Sequence, residues 1–200
     1  MRVELVRHGQ TVLQAEHRYV GRTDDSLSSA GTQALVATDR VPARVYVTTL
    51  QRTSLTAAIV FPGAELVVVP GLEEMDFGAF EQHNYAELEH DGAYRAWLVS
   101  ACEGRCPGGE KRDEFARRVS SAFAQLLDRA IQRGEDDITV VTHGGTIMAV
   151  MEQFGLPRRP FFQWRVAHGC GLVLDASAWE DERVLRLVGE SDHCRKDVRP

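Results

Sequence analysis

The most constraining feature of this sequence is its alternation of short apolar runs with segments of helical spacing. Stretches whose apolar residues recur every three or four positions indicate helices over about 28–39, 52–60, 112–133 and 144–154. Between them lie short, mainly apolar runs that are typical of buried strands, at residues 3–6, 45–47, 66–69, 138–141, 171–174 and 184–188. Strands separated by helices predict an α/β fold, a three-layer α/β/α sandwich with a mostly parallel central sheet.

One stretch, from about residue 77 to residue 109, interrupts this alternation. It is rich in polar and aromatic residues, among them Tyr94 and Trp97. We interpret it as a partly helical insertion that caps a pocket of a single domain spanning residues 1–200. From about Asp192 onward we expect a frayed tail.

The composition excludes several classes of function. A net charge of -6 argues against a protein that binds nucleic acid through its overall field. No apolar run approaches the roughly 20 residues of a membrane helix, and charges at Arg2 and Glu4 interrupt the start too early for a secretory signal. Four cysteines are too few for a disulfide scaffold. We therefore expect a cytoplasmic protein without nucleic-acid or membrane partners, in which Cys102 and Cys106 are free thiols.

Two histidines directly follow predicted strands. His8 comes after residues 3–6, and His143 comes after residues 138–141. Ligand sites collect at the carboxyl ends of parallel strands, and the glycines that follow both histidines let backbone amides approach an anion. Arg7 adds a fixed positive charge beside the first histidine. From placement alone, a functional pair and two ordinary loop histidines remain equally open.

The segment Val6-Arg7-His8-Gly9-Gln10-Thr11 resembles the Arg-His-Gly signature of the histidine phosphatase superfamily, the phosphoglycerate mutase-like proteins. The resemblance continues in the family's order from residue 2 to about residue 188. The further matching blocks are residues 21–34, 48–57, 72–78, 107–110 and 141–145. An Arg-His-Gly triplet alone is a weak signal, whereas six blocks in order are specific. The resemblance implies an enzyme that acts on phosphate groups.

The resemblance also assigns catalytic roles. His8 is the implied nucleophile, which forms a phosphohistidine, and His143 is the implied hydrogen-bond donor to the transferring group. Arg7 and Arg52 are the implied cations, because arginine can donate two parallel hydrogen bonds to a dianionic phosphate. Since these side chains supply the positive charge, the resemblance implies no metal ion and no other cofactor. The sequence also lacks a His-Glu-x-x-His metal motif.

The acid implied by the resemblance is Glu74. It would protonate the leaving oxygen and then activate the water that releases phosphate. Glu73 is adjacent to it and Glu81 lies nearby, so the sequence alone leaves these two carboxylates open as alternatives.

Three further residues are implied to bind phosphate or substrate: Gln14, Gly21 and Gly144. The family often has asparagine at the position of Gln14, so the amide is kept but its reach is one methylene longer. Gln10 stands in place of a frequent glutamate and Lys111 in place of a common serine. None of these departures removes a catalytic charge.

The chain is short between Glu74 and His143, whereas mutases that use bisphosphoglycerate usually carry a longer segment there. A shorter cap leaves room for water and favours hydrolysis. Segments 72–78, 94–97 and 162–170 resemble the α-ribazole phosphatases of cobalamin assembly. We therefore expect a hydrolase for a small phosphomonoester, with α-ribazole 5′-phosphate as the leading candidate. The alternatives are a phosphoglycerate mutase and a non-catalytic phospholigand-binding domain, and the resemblance leaves a homodimer open.

Overall fold

The computed structural model describes residues 1–40 and 42–195. In this part of the chain a seven-stranded sheet runs in the order β3-β2-β4-β1-β6-β7-β5. Its strands are β1 (Arg2–Arg7), β2 (Arg44–Val47), β3 (Glu65–Val68), β4 (Asp137–Thr142), β5 (Gly155–Leu156), β6 (Cys170–Asp175) and β7 (Leu185–Asp192). All neighbouring strands are parallel except that β6 runs antiparallel to β1 and β7. The mostly parallel sheet is therefore confirmed.

Helices connect the strands. In the described residues they are α1 (Val12–Ala15), α2 (Ser29–Ala34), α3 (Gln51–Val60), α4 (Tyr85–Leu88), α5 (Gly92–Val99), α6 (Arg112–Gln132), α7 (Gly144–Phe154) and α8 (Trp179–Glu182). Two short 3₁₀-helices lie at Gly78–Phe80 and Phe161–Trp164. None of the helices in residues 1–40 and 42–195 is long and apolar enough to cross a membrane.

Both faces of the sheet carry a hydrophobic core. Successive side chains of a strand point to opposite faces, and β1 shows the consequence. Val3 and Leu5 pack into a large cluster that includes Phe123 of α6, whereas Val6 packs into a second cluster with Val60 of α3. Helices thus cover the sheet on both sides, and the predicted three-layer α/β/α sandwich is confirmed.

Two segments, at about residues 28–39 and from about residue 192 onward, differ from the sequence prediction. The helix predicted over about 28–39 ends at Ala34. The residues that follow it contact the segment that was expected to fray: the backbone amide of Val36 donates to the carbonyl of His193 at 2.8 Å. The expected frayed tail is therefore packed on the domain as far as Arg195, and the residues after it lie outside the described part.

The segment over residues 77–109 is partly helical, since it contains α4, α5 and a 3₁₀ turn. Its aromatic rings form one cluster, in which Tyr94 lies 5.3 Å from Phe80 between ring centroids. Tyr19, from the loop after the first histidine, joins that cluster: its hydroxyl is 2.8 Å from the hydroxyl of Tyr94, and its ring is 5.7 Å from Trp97. The insertion is thereby fixed to the chain that follows the first histidine. The two cysteines of this segment are free thiols.

Candidate active site

The two central strands β1 and β4 bring the two predicted histidines together. Their parallel register pairs Arg7 with Thr142, so that His8 and His143 follow at the same edge of the sheet. Their ring centroids lie 5.2 Å apart with the planes inclined at 66°. Both side chains are buried. The edge where ligand sites collect in such sheets therefore carries two imidazoles in contact.

His8 has the protonation state of a nucleophile. Its Nδ1 lies 2.7 Å from the carbonyl oxygen of Gly9. Because a carbonyl can only accept, Nδ1 carries the ring proton and Nε2 keeps its lone pair. Burial, reinforced by the positive charges of Arg52 and Arg7, lowers the pKa of His8 well below its usual value. The ring is thus neutral, with Nε2 available for attack.

Arg52 fixes the state of the second histidine. Its guanidinium is fully buried and donates from Nε to Nδ1 of His143 at 3.3 Å. The proton of the imidazole is then on Nε2, which lies 3.0 Å from the hydroxyl of Thr48. Burial, with the positive charges of Arg52 and Arg7, lowers the pKa of His143 well below its usual value. His143 is therefore a neutral hydrogen-bond donor.

The rest of the Arg52 guanidinium is held by backbone. Nη1 donates to the carbonyl of Thr23 and Nη2 donates to the carbonyl of Gly21, both at 2.7 Å. Burial lowers the pKa of Arg52, while nearby carboxylates such as Glu74 oppose that effect. Each terminal nitrogen still has a second proton with which to donate to an anion.

Arg7 presents an unused donor. Its Nη1 donates to the carbonyl of Val166 at 2.9 Å, whereas its Nε is buried and has no hydrogen-bond partner among residues 1–40 and 42–195. Gly144 lies against this nitrogen, because a Cβ built there would be 3.2 Å from it. A buried N–H without an acceptor is costly, so this atom marks a place where an anion can bind.

Glu74 has the environment of a general acid. Its Oε2 accepts from the amide of Gly145 at 2.8 Å and its Oε1 accepts from the amide of Met75 at 3.0 Å. Burial raises the pKa of the carboxyl, although these amides and the nearby arginines act in the opposite direction. The approach of Gly145 is close: a Cβ on this residue would lie 2.1 Å from Oε1, so the carboxylate could not keep its present position.

The two alternative carboxylates have other partners. Glu73 accepts from the hydroxyl of Thr49 at 2.9 Å and from the amide of Gly71 at 2.8 Å. Glu81 accepts from the backbone of residues 21–23. Among the three candidates, Glu74 alone lines the cavity that also contains Arg7.

The remaining predicted binding residues occupy different places. The amide oxygen of Gln14 lies 3.3 Å from the backbone nitrogen of Thr11, where it caps the short helix α1. Gly21 acts through its carbonyl, which holds Arg52. Gly144 is the first residue of α7, whose N-terminus carries a partial positive charge. Direct contact of Gln14, Gly21 or Gly144 with a phosphate stays a prediction.

Sequence reasoning missed His168. Its Nδ1 donates to the carbonyl of His8 at 3.1 Å, and the two rings lie 5.5 Å apart between centroids. Burial, with the charge of Arg7, lowers the pKa of His168 to about 4. The signal in the sequence was a histidine just before Gly169, at the start of the strand that pairs with β1 on the side away from β4.

A cavity of about 320 Å³ opens beside Arg7 and Glu74. Its remaining walls are mainly aromatic and apolar, formed by Tyr19, Met75, Phe77, Trp97, Cys102, Phe115, Met148, Phe161 and Phe162, and two further cations, Arg112 and Arg165, also line it. This volume suits a small organic ligand. In the part of the chain that the structure describes, no three His, Cys, Asp or Glu side chains are grouped so as to hold a metal ion.

Comparison with known proteins identifies the family. The sequence model of the histidine phosphatase superfamily (branch 1) matches residues 3–188. The chain belongs to this superfamily. This histidine phosphatase chain is 32% identical to the probable phosphoglycerate mutase GpmB of Enterobacter sp., and the match covers 96% of this chain and 94% of the relative. It is also 32% identical to the GpmB of Salmonella paratyphi B, over 94% and 80% of the two chains.

Several solved structures share this fold. An α-ribazole phosphatase from Shigella flexneri superposes with a TM-score of 0.82 at 24% identity, covering 96% of this chain and 97% of the other. A phosphoglycerate mutase from Thermus thermophilus superposes with a TM-score of 0.69 at 26% identity, covering 96% and 98%. The sequence prediction of an enzyme of the histidine phosphatase superfamily is therefore confirmed.

Proposed function

We propose that the chain is a phosphomonoester hydrolase that acts through a phosphohistidine on His8. The observation that carries this proposal is the hydrogen bond from Nδ1 of His8 to the carbonyl of Gly9, which leaves the Nε2 lone pair free. The buried, unpartnered Nε of Arg7 supports it, because a phosphoryl oxygen is a suitable acceptor for that proton.

The first step transfers the phosphoryl group to the protein. Nε2 of His8 attacks phosphorus, the bond between phosphorus and the ester oxygen breaks, and the proton of Glu74 passes to that oxygen. Arg7 and Arg52 balance the charge of the dianionic group as it passes through the transition state. The Nε2 proton of His143, which Thr48 accepts in this structure, is the one that His143 would share with a phosphoryl oxygen.

The second step returns the protein to its starting state. The Glu74 carboxylate takes a proton from water, and the water oxygen attacks phosphorus as the bond to Nε2 breaks. Inorganic phosphate leaves, His8 is neutral again and Glu74 is protonated again. Because two arginines supply the positive charge near the reacting group, the proposed steps require no metal ion.

For the substrate we propose a small phosphorylated metabolite, with α-ribazole 5′-phosphate as the first candidate. The motif resemblance names this compound, and the cavity beside Glu74 suits a leaving group that joins a flat ring to a polar sugar, because its walls are mainly aromatic but also carry Arg112 and Arg165. We place the reaction in the cytoplasm, because the chain has only four cysteines, and Cys102 and Cys106 are free thiols.

The test uses p-nitrophenyl phosphate with a chelator present. We expect turnover by the native protein, loss of turnover in His8→Ala, and an acid-labile phosphoenzyme when the reaction is quenched. His90→Ala, which removes an exposed histidine, is the matched control and keeps full activity. Robust turnover by His8→Ala would overturn the proposal. A second experiment gives the native protein a panel of phosphometabolites, with α-ribazole 5′-phosphate as the first compound, to identify the substrate.

A phosphoglycerate mutase is the second candidate, favoured by the two relatives that carry this name. Incubation with 3-phosphoglycerate and bisphosphoglycerate separates the two activities. Release of inorganic phosphate faster than formation of 2-phosphoglycerate supports the hydrolase, and the opposite order supports the mutase. Phosphate binding without any phosphoenzyme, from any substrate in the panel, indicates instead a non-catalytic phospholigand-binding domain.

A further inference from the structure

Glu81, at the base of the insertion, is the acceptor for a whole loop. Its two carboxylate oxygens accept from the amide of Gly21 at 3.1 and 3.0 Å, from the amide of Arg22 at 2.9 Å and from the amide of Thr23 at 3.2 Å. The hydroxyl of Thr23 donates to Oε2 at 2.7 Å. Successive amides that converge on one carboxylate keep this stretch of backbone in a single conformation.

The opposite groups of the same loop hold the catalytic arginine. The carbonyls of Gly21 and Thr23 each accept from Arg52 at 2.7 Å. The loop therefore lies between a carboxylate and a guanidinium, with its amides bonded to one and its carbonyls bonded to the other. Gly21 is closely confined in this arrangement, since an added Cβ would lie 1.9 Å from the carbonyl oxygen of Met75.

We propose that Glu81 is a positioning residue for phosphate binding, which acts through residues 21–23 to orient Arg52. This inference rests on the proposed function only in so far as Arg52 binds the phosphate. The guanidinium has its Nε committed to His143, so its remaining orientation depends on the two loop carbonyls. Those carbonyls keep their direction only while Glu81 satisfies the amides between them.

The charge of Glu81 is part of this role. Arg52 is fully buried, and Glu81 is among the carboxylates that favour its charged form. A glutamine at position 81 has one carbonyl oxygen in place of two carboxylate oxygens, and its NH₂ group would face amide donors. The substitution Glu81→Gln therefore removes acceptors from the loop with almost no change of volume.

The competing explanation is that Glu81 only stabilises the insertion. Glu81 also accepts from the amide of Phe77 at 3.1 Å, a contact within the insertion itself. A double-mutant cycle separates the two explanations. If Glu81 acts through Arg52, its substitution has little effect on phosphate binding once Arg52 is absent. If Glu81 only stabilises the insertion, its substitution weakens phosphate binding by the same factor with and without Arg52.

The experiment measures the dissociation constant of inorganic phosphate by calorimetry, together with kcat and KM for p-nitrophenyl phosphate. The variants are Glu81→Gln, Arg52→Ala and the double variant. We expect Glu81→Gln to weaken phosphate binding and lower kcat/KM by roughly 10- to 100-fold, and to change either quantity by less than about threefold in the Arg52→Ala background. Glu89→Gln, an exposed acid of the same insertion, is the matched control and leaves both quantities unchanged.

Equal factors in both backgrounds, or native phosphate affinity in Glu81→Gln, would overturn the proposal. If Glu81→Gln does not fold, Thr23→Val replaces it. That variant removes a single donor to Glu81, and we expect a loss of roughly three- to tenfold that disappears in the Arg52→Ala background. Because phosphate affinity needs no turnover, a protein that binds phosphate with the expected cycle but hydrolyses nothing would contradict the proposed function and leave the role of Glu81 intact.

Discussion

Arg52 donates from Nε to Nδ1 of His143 at 3.3 Å. Because a guanidinium cannot accept a hydrogen bond, this contact alone assigns the ring proton of His143 to Nε2. The same guanidinium keeps a proton on each terminal nitrogen for an anion. One buried arginine thus sets the tautomer of His143 and supplies positive charge to the proposed phosphate site.

Arg52→Lys tests this double role. Lysine keeps the charge but cannot donate to His143 and to two carbonyls from one planar group. We expect kcat/KM for p-nitrophenyl phosphate to fall by about 100- to 1,000-fold. Arg95→Lys, at an exposed position of α5, is the control and stays at the native value. A lysine variant within tenfold of the native protein would show that charge alone is enough.

Glu74→Gln tests the general acid through the choice of leaving group. An acid matters most when the leaving oxygen is strongly basic, so an alkyl phosphate should suffer more than p-nitrophenyl phosphate. We expect losses of about 100- to 10,000-fold for the alkyl ester and at least tenfold less for the nitrophenyl ester. Equal losses for the two esters in steady-state assays would contradict the assignment of Glu74 as the acid.

The pH profile follows from the directions of two pKa shifts. Burial lowers the pKa of His8 well below its usual value, so the nucleophile stays neutral in mildly acidic solution. Burial raises the pKa of Glu74, so its carboxyl stays protonated to a higher pH than that of an ordinary glutamate. It loses this proton, and can no longer act as an acid, as the pH rises through the raised pKa. We expect kcat/KM for an alkyl phosphate to decline on the alkaline side, and this decline to disappear in Glu74→Gln. A decline that is identical in the variant would assign it to another group.

Gly145→Ala tests the close approach of α7 to the acid. The added Cβ would lie 2.1 Å from Oε1 of Glu74, so the carboxylate must move away from its place beside Arg7. We expect kcat/KM to fall by about 100-fold with the fold intact by circular dichroism. Gly189→Ala is the matched control, because nothing lies within 4 Å of its Cβ position. Native activity in Gly145→Ala would mean that Glu74 does not need its observed position.

The features that the sequence predicted are those set by local pattern. The stripe that includes Phe115, Val119 and Leu126 is buried along α6 as its spacing requires, and the runs that end at Arg7 and Thr142 are the central strands. Burial on one face of a helix or within a parallel sheet leaves a periodic trace in the chain itself. The fold could therefore be predicted from the pattern alone, whereas the pairing of the two histidines followed only from the resemblance to the family, because their placement after strands left it open.

The features that sequence reasoning missed depend on contacts between distant parts of the chain. His168 meets His8 only because β6 pairs with β1, and Glu81 meets the loop at Gly21 only because the insertion folds back over it. The helix predicted over about 28–39 was too long for the same reason, since the C-terminal segment takes the backbone that would have continued it. Periodicity carries no information about such partners.

The C-terminal segment carries the last prediction, on stability at low pH. Glu4 is buried in β1 and its Oε1 lies 2.8 Å from Nε2 of His193. Burial by itself would raise the pKa of Glu4, but hydrogen bonds from His193 and Arg2 lower it from 4.5 to about 2. A carboxyl whose pKa is lower in the folded than in the unfolded protein stabilises the fold. This stabilisation is complete at a pH above the pKa of the unfolded protein, and it is lost as the pH falls towards the pKa of the folded protein. For Glu4 it amounts to about 3 kcal/mol, of which about 2 kcal/mol is gone by about pH 3. Urea unfolding at about pH 6 and pH 3 measures this loss. The free energy of unfolding should fall by about 2 kcal/mol more in the native protein than in Glu4→Gln, whereas equal falls would show that the Glu4 carboxylate does not stabilise the folded protein through a lowered pKa.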